Sequence, residues 1–262
     1  MVKHRSAFAF NTTCIGASHL KSEKPCQDYS ASWYAGKVAI IAVADGHGAA
    51  DYFRSDRGAR FAAEAAIECI KDLIMTKNNS LSNPSDSLAA LEKSIITVWH
   101  KKITKDLGSK PINGTIIVPY GTTLLAAAIT GYYWFAIQIG DGKCVIINKD
   151  NNISQPVPWD ERCFLNQTTS LCDDNACDLF RHFYSETLPE AIFLGSDGID
   201  DSFPMNRNEE HLARFYESIY VNFISEGLQN GKVQLREMLP ALTQKGSGDD
   251  VSITGILRNI KQ

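Results

Sequence analysis

The chain lacks long hydrophobic runs, which excludes a membrane-spanning helix. The longest apolar stretches, at residues 38–44 and 124–129, have the length of a buried strand. The N-terminal sequence MVKHRSAFAF contains basic residues, but its apolar run is too short for the core of a secretory signal peptide. We therefore expect a soluble protein that acts in the cytoplasm and has no membrane partner.

The chain also lacks an excess of basic residues and any CxxC pair. Its 26 Lys and Arg against 30 Asp and Glu give a formal net charge of −4, which disfavours a nucleic-acid partner. Cys163, Cys172, Cys177 and His182 have the residue types of a zinc site but not the usual short spacings. An odd number of cysteines without a signal peptide favours reduced thiols.

Short apolar segments and amphipathic segments follow one another in an order that favours an α+β domain. Helices are predicted at residues 57–75, 88–103, 211–224 and 233–242, the last of which ends beside Pro240. Strands are predicted at residues 38–44, 122–129, 132–139, 143–147, 191–194 and 251–257, with weaker candidates at 6–9 and 31–34.

Two further features concern how these elements are joined. The strands at residues 132–139 and 143–147 flank Gly140-Asp141-Gly142, which predicts a hairpin. No linker or internal repeat divides the chain, so residues 1–262 are predicted to form a single domain. An irregular region at about 150–189, called the flap segment below, lies between the strands.

Aspartates flanked by glycine border four of the predicted strands. They occur in Asp45-Gly46, Gly140-Asp141-Gly142, Asp197-Gly198 and Gly248-Asp249. Mg²⁺ and Mn²⁺ prefer carboxylate and carbonyl oxygens, and glycine lets the backbone turn sharply beside an ion. Each Asp-Gly pair taken alone is a common turn dipeptide. The four together indicate either coincidental turns or a metal-dependent hydrolase.

The same residues, in this order, resemble the PP2C family of metal-dependent protein phosphatases. The opening Gly16-Ala17-Ser18-His19 followed by Pro25 is similar to the compact, stand-alone bacterial branch. The motifs that carry the resemblance are Cys26-Gln27-Asp28, Val43-Ala44-Asp45-Gly46-His47-Gly48, Gly121-Thr122-Thr123-Leu124, Gly140-Asp141-Gly142, Ser196-Asp197-Gly198-Ile199-Asp200-Asp201 and Gly248-Asp249-Asp250-Val251-Ser252.

The resemblance implies a fold and a metal centre. The fold is a four-layer α-β-β-α sandwich, in which helices flank two antiparallel sheets. Two Mn²⁺ or Mg²⁺ ions, with a third as in bacterial relatives, would lie at one edge of the sandwich. The implied protein ligands are the bridging Asp45, the Gly46 carbonyl, Asp141, Asp197 and Asp249. Asp28 and Asp200 would contact the ions through water.

The resemblance also implies that a water activated by the metals hydrolyses phosphoserine or phosphothreonine. Phosphotyrosine is a further possible substrate. Asp45 would be catalytic through the ions that it bridges, and His47 would be the general acid that protonates the leaving alkoxide. The implied partners are phosphorylated proteins, either the targets of a cognate Ser/Thr kinase or the kinase itself.

Two positions depart from the better-known relatives. Gln27 stands where some of them carry a glutamate, and Glu23 occupies the position of the usual phosphate-binding arginine. His19 is the first candidate to replace that arginine, with Lys21, Lys24, Arg54 and Arg57 as alternatives. In the flap segment, the residues that could contact a phosphoprotein are Trp159, Arg162, Thr168, Thr169 and Arg181.

Two other functions remain open at this point. One is a phosphoprotein-binding or regulatory module with the same fold but impaired catalysis, which Gln27 and the missing arginine favour. The other is hydrolysis of a small phosphoester or nucleotide. No GxxxxGK[ST] segment is present, so the sequence gives no support for a P-loop.

Overall fold

A computed structural model describes residues 6–76, 80–108, 114–164, 167–258 and 260. The strands within these ranges are β1 (Ala7–Cys14), β2 (Asp28–Ala35), β3 (Val38–Asp45), β4 (Leu124–Ile129), β5 (Trp134–Ile139), β6 (Lys143–Ile147), β7 (Ile153–Ser154), β8 (Arg181–Ser185), β9 (Ala191–Gly195) and β10 (Val251–Arg258). The helices are α1 (Ala17–Ser22), α2 (Ser55–Thr76), α3 (Pro84–Asp106), α4 (Gly114–Ile117), α5 (Ala176–Leu179), α6 (Asp197–Asp200) and α7 (Asn208–Lys245).

The strands form two sheets of five, and every named pair of neighbouring strands is antiparallel. The first sheet has the order β1-β10-β9-β6-β7, and the second has the order β2-β3-β4-β5-β8. Helices α2 and α3 pack against the second sheet, and α7 packs against the first. The predicted α-β-β-α sandwich is thus confirmed.

The apolar run of β3 follows from burial on both faces of its sheet. Ile40, Ala42 and Ala44 pack toward α2 and α3. The alternate residues Ile41 and Val43 pack between the two sheets. Because successive side chains of a strand point to opposite faces, a strand covered on both sides must be apolar throughout. The predicted strand at residues 38–44 is therefore found as β3.

Small residues bring α2 close to the second sheet. Ala59, Ala62, Ala66 and Ile70 recur at the spacing of one helix face and are fully buried. On the other side of the molecule, the helix face that covers the first sheet carries larger side chains, with Phe223 of α7 stacked on Phe10. None of the helices in the described ranges combines the length and apolar character that crossing a membrane requires.

The predicted hairpin around Gly140-Asp141-Gly142 is wrong. β5 pairs with β4 and β8 in the second sheet, whereas β6 pairs with β9 and β7 in the first. Gly140 has φ +103°, a conformation that glycine adopts without strain. Local turn residues suit a hairpin, but β5 and β6 are buried strands that find their partners in different sheets. The three-residue segment is therefore a crossover between the layers.

The predicted end of a helix at Pro240 is also wrong. Helix α7 continues through Pro240 to Lys245, and its break lies instead at Gly227, which has φ 83° and ψ 173°. The helices predicted at residues 211–224 and 233–242 are the two arms on either side of this break. Proline lacks the backbone N–H that donates a helical hydrogen bond, but the second arm remains helical because its apolar face is packed. Phe223 is buried on the apolar face of the first arm, and Leu239 is buried on that of the second.

Candidate metal centre

A cleft of about 840 Å³ opens where the ends of both sheets meet. Asp45 ends β3 of the second sheet, and Asp141 lies in the crossover from β5 to β6. Asp197 follows β9 and Asp249 precedes β10, both in the first sheet. These four aspartates, Gly46, His47 and His19 all line the cleft. Asp28 and Asp200 are not among its lining residues.

The central carboxyl groups are buried close together. The carboxyl group of Asp197 opposes the ionisation of Asp45. Burial, and after it the neighbouring aspartates, raises the pKa of Asp45 well above its usual range. Burial likewise raises the pKa of Asp197 to about 6 and raises the pKa of Asp141. The cluster therefore favours added positive charge.

These residues fit hard divalent cations. Oδ1 of Asp197 is buried and has no hydrogen-bond partner among the described residues. The donor set consists of carboxylate oxygens and the Gly46 carbonyl, which are the ligand types that Mg²⁺ and Mn²⁺ prefer. An unpartnered buried carboxylate oxygen is costly in the protein alone, and a cation would remove that cost.

Asp28 and Asp200 lie just behind the cleft. Asp28 is paired in register with Asp45 across β2 and β3, and it accepts a hydrogen bond of 2.8 Å from Ser196 Oγ. Burial raises the pKa of Asp28. Asp200 faces Lys143, whose Nζ lies 3.3 Å from Oδ2. Both positions are compatible with contact to an ion through water and with a purely structural role.

Asp250 is a residue whose role sequence reasoning missed. Its Oδ1 accepts a hydrogen bond of 2.6 Å from the Gly16 amide, and its Oδ2 accepts one of 2.6 Å from the Gln27 amide. One buried carboxylate thus fixes both N-terminal loops beside Asp249. The only signal in the sequence was its place in the Asp249-Asp250 pair.

His47 is held by a serine of the flap segment. The Oγ of Ser170 lies 2.7 Å from His47 Nε2, and it also accepts hydrogen bonds from the amides of Thr122 (3.2 Å) and Cys172 (3.3 Å). The Ser170 hydroxyl also has the Thr122 carbonyl oxygen as an acceptor at 3.2 Å, so the contact with His47 Nε2 is compatible with a ring proton on either nitrogen. Burial lowers the pKa of His47 to about 4, so the imidazole is neutral at pH 7.

Gln27 supplies donors that a glutamate at this position would lack. Its Nε2 donates to the carbonyl oxygen of His47 at 2.9 Å and to Ser55 Oγ at 2.6 Å. A carboxylate only accepts hydrogen bonds, so it could accept one from the Ser55 hydroxyl but could not contact the His47 carbonyl. The departure from the better-known relatives therefore connects the start of α2 to the loop that carries His47.

The structure places the proposed phosphate-binding residues in different surroundings. His19 lies against two carboxylates, with Nδ1 3.0 Å from Asp250 Oδ1 and Nε2 3.8 Å from Asp249 Oδ1. The three side chains offer ligand atoms within 4.8 Å of one another. Arg54 and Arg57 both bind Asp106 and do not line the cleft. Arg162 of the flap segment does line it.

Comparisons with known proteins agree with this fold. A sequence profile described as protein phosphatase 2C matches residues 15–240. The structure is similar to a bacterial serine phosphatase, with 16% identity, a TM-score of 0.59 and 97% of each chain covered. It is also similar to the catalytic domain of the serine/threonine protein phosphatase PstP in complex with two manganese ions, with 13% identity, a TM-score of 0.59 and coverage of 97% of this chain and 98% of that one.

A third similar structure is the S. agalactiae serine/threonine phosphatase, with 18% identity, a TM-score of 0.59 and coverage of 96% of this chain and 99% of that one. A search of curated proteins gave no match. At these identities the structures show a shared fold, while the profile spans most of the sequence. The chain therefore belongs to the protein phosphatase 2C family.

Proposed function

We propose that the chain is a metal-dependent phosphatase that hydrolyses phosphoserine and phosphothreonine in proteins. The observation that carries this proposal is the convergence of carboxylates from four chain segments on one cleft, with Asp45, Asp141 and Asp197 half-buried and Asp249 exposed. Such a cluster is unfavourable without cations, because burial and mutual repulsion both oppose its ionisation. The cleft is also open to solvent, as a protein substrate requires.

Asp45 would bridge two ions, Asp197 and Asp249 would bind one of them, and Asp141 with Asp197 would bind a third. The Gly46 carbonyl would be a further ligand. When bound, Mn²⁺ or Mg²⁺ supplies Lewis acidity and positive charge for the attack of water on phosphorus. The positions of Asp45, Asp141 and Asp197 next to buried strands hold their oxygens in place, which limits reorganisation during the reaction.

His47 is the candidate donor to the leaving oxygen. Ser170 Oγ contacts its Nε2 at 2.7 Å, and Gln27 donates to its main-chain carbonyl at 2.9 Å. The lowered pKa of about 4 opposes the imidazolium form that proton donation at pH 7 requires. The general-acid role of His47 remains a prediction.

A regulatory module without catalysis is the second candidate. Gln27 favours it, because the structure has an amide where a carboxylate supports a metal in some relatives. The buried aspartate cluster opposes it, because nothing in a binding role requires its electrostatic cost. We also propose that residues 1–262 form one phosphatase domain, whose substrates are cytoplasmic phosphoproteins, either a cognate Ser/Thr kinase or its targets.

Hydrolysis of p-nitrophenyl phosphate and of a phosphothreonine peptide tests the proposal. Purified protein is assayed with Mn²⁺, with Mg²⁺ and with EDTA, beside Asp45→Asn, which removes the bridging charge. We expect turnover of both substrates that depends on added cation and is abolished in Asp45→Asn. Folded protein that binds Mn²⁺ but turns over neither substrate would support the regulatory module instead.

A further inference from the structure

The cleft contains many negative charges and one strong positive charge. Among its described lining residues, Arg162 is the one arginine or lysine. The aspartates that line the cleft are Asp45, Asp141, Asp173, Asp197, Asp201, Asp249 and Asp250. A phosphoryl group carries negative charge itself, so the cations of this cleft must come from metal ions and from Arg162.

Among the other candidate cations, Lys21 and Lys24 do not line the cleft, and the rest face carboxylates. Arg54 and Arg57 form ion pairs of 3.1 Å and 2.9 Å with Asp106, outside the cleft. His19 faces two carboxylates, which would repel a phosphate at the same place. Lys143 lies 3.3 Å from Asp200 and 3.8 Å from the centre of a tryptophan ring.

Arg162 is held firmly but keeps one donor group unused. Its Nε donates to Asp160 Oδ1 at 2.7 Å and its Nη2 to Asp160 Oδ2 at 3.2 Å, a two-pronged pair. Nη1 makes no hydrogen bond to any described residue. The side chain is half exposed, whereas that of Asp160 is buried. The guanidinium is thus oriented before any ligand arrives.

Asp160 does not pair with Arg162 alone. Asp160 also faces Arg181, whose Nε lies 3.6 Å from Oδ2, so two guanidinium groups share one carboxylate. Arg181 is largely buried and donates to the Gly140 carbonyl, which leaves Arg162 as the exposed member.

Hydrogen bonds fix Arg162 relative to the metal centre. Thr169 Oγ1 donates to Asp160 Oδ2 at 3.2 Å and accepts from the Gly140 amide at 2.9 Å. Gly140 precedes Asp141, one of the candidate metal ligands. The arginine is therefore anchored to the crossover that carries this ligand, although it belongs to a different segment of the chain.

We propose that Arg162 binds the phosphoryl group of the substrate through Nη1, in place of the arginine that the N-terminal segment lacks. This proposal rests on the proposed phosphatase function and identifies the residue that captures its substrate. A guanidinium suits the task because its planar fork can hold Asp160 on one side and phosphoryl oxygens on the other.

Arg162→Ala tests this role, with Arg236→Ala, an exposed arginine on α7, as the matched control. We expect Arg162→Ala to raise KM about tenfold for both p-nitrophenyl phosphate and a phosphothreonine peptide, because it removes one charge-assisted hydrogen bond. Changes in kcat should stay within about threefold. Calorimetric binding of inorganic phosphate to the Mn²⁺-loaded protein should weaken by a similar factor. Arg236→Ala should behave like the wild type in all three measurements.

Unchanged KM for both substrates, with unchanged phosphate binding, would overturn the proposal. A rise in KM for the peptide alone would overturn it too, since it would assign Arg162 to peptide side chains. If the wild type has no turnover, the proposed phosphatase function is rejected. The phosphate titration then still tests whether Arg162 binds a phosphoryl group. Phosphate binding that depends on Arg162 would then uphold the inference for a binding module.

Discussion

Asp45 and Asp197 are half-buried carboxyl groups with raised pKa values, which makes the metal-free protein sensitive to pH. The folded pKa of Asp197, at about 6, lies above the ordinary value of 3.8. A carboxyl with a raised pKa binds its proton more tightly in the folded protein than in the unfolded chain. Its contribution to stability is therefore greatest below about pH 4 and is lost as the pH rises through 6.

Asp197→Asn should for this reason stabilise the metal-free protein at pH 7.5, on the order of 1 to 3 kcal/mol. The substitution should also make the free energy of unfolding decrease less between pH 4 and pH 6. Urea unfolding in EDTA at several pH values measures both effects, with Asp178→Asn on the exposed surface of α5 as the control. A variant less stable than the wild type at pH 7.5 would contradict the electrostatic account of the cluster.

His47 gives a second prediction at this scale. Loss of a proton donor harms a poor leaving group more than a good one, and nitrophenolate needs little protonation to leave. His47→Ala should therefore reduce kcat for a phosphothreonine peptide by about 100-fold or more, and for p-nitrophenyl phosphate by clearly less. Initial rates on the two substrates make the comparison. Equal losses would assign His47 to positioning and not to proton donation.

Between α2 and the loop before β4, the fit of the elements depends on one glycine. A Cβ added to Gly58 would lie 1.9 Å from the carbonyl oxygen of Tyr120, and the next residue, Gly121, accepts a hydrogen bond of 3.1 Å from the His47 amide. Alanine favours helices, but here the contact with backbone decides the outcome. A shift of this loop would also move the chain around His47.

Gly58→Ala should therefore lower the free energy of unfolding by about 1–3 kcal/mol. Thermal and urea unfolding measure the loss, and the exposed Ser94→Ala on α3 serves as the control for adding helix propensity. If Gly58→Ala were as stable as the wild type, the close approach of α2 to Tyr120 would not be a real constraint on the packing.

Elements with a strong local pattern could be predicted from the sequence. The continuous apolar run of β3 and the four-residue spacing of Phe61, Ala65 and Cys69 in α2 reflect burial that the residues themselves determine. The Gly140-Asp141-Gly142 segment could not be predicted, because its turn residues suit a hairpin and only the pairing of distant strands makes it a crossover. The helix through Pro240 was missed for a similar reason, since packing overrides its propensity.

Some residues of the candidate site could likewise be predicted from the sequence, and others could not. The motif aspartates could be named from sequence because their spacing follows a known family. The contacts of Ser170 with His47, of Asp250 with two amides and of Asp160 with Arg162 join residues of distant segments. No periodicity or composition marks such partners, because each is chosen by the folded chain and not by its sequence neighbours.

At the scale of the whole molecule, the candidate metal ligands are divided between the two sheets. Asp45 comes from the second sheet, while Asp197 and Asp249 come from the ends of strands in the first. Asp141 lies in the three-residue crossover that joins β5 of the second sheet to β6 of the first. The candidate metal centre is therefore assembled across the interface between the sheets, and neither sheet contains it alone.

This arrangement links the ion to the kinetics of folding. A cation that needs ligands from both layers gains little from any species in which the sheets have not yet docked, and it is bound fully only in the native state. Interactions absent from the transition state change the rate of unfolding and leave the rate of folding nearly untouched. Occupancy of the centre would thus determine how long the docked sandwich survives, and not how fast it forms.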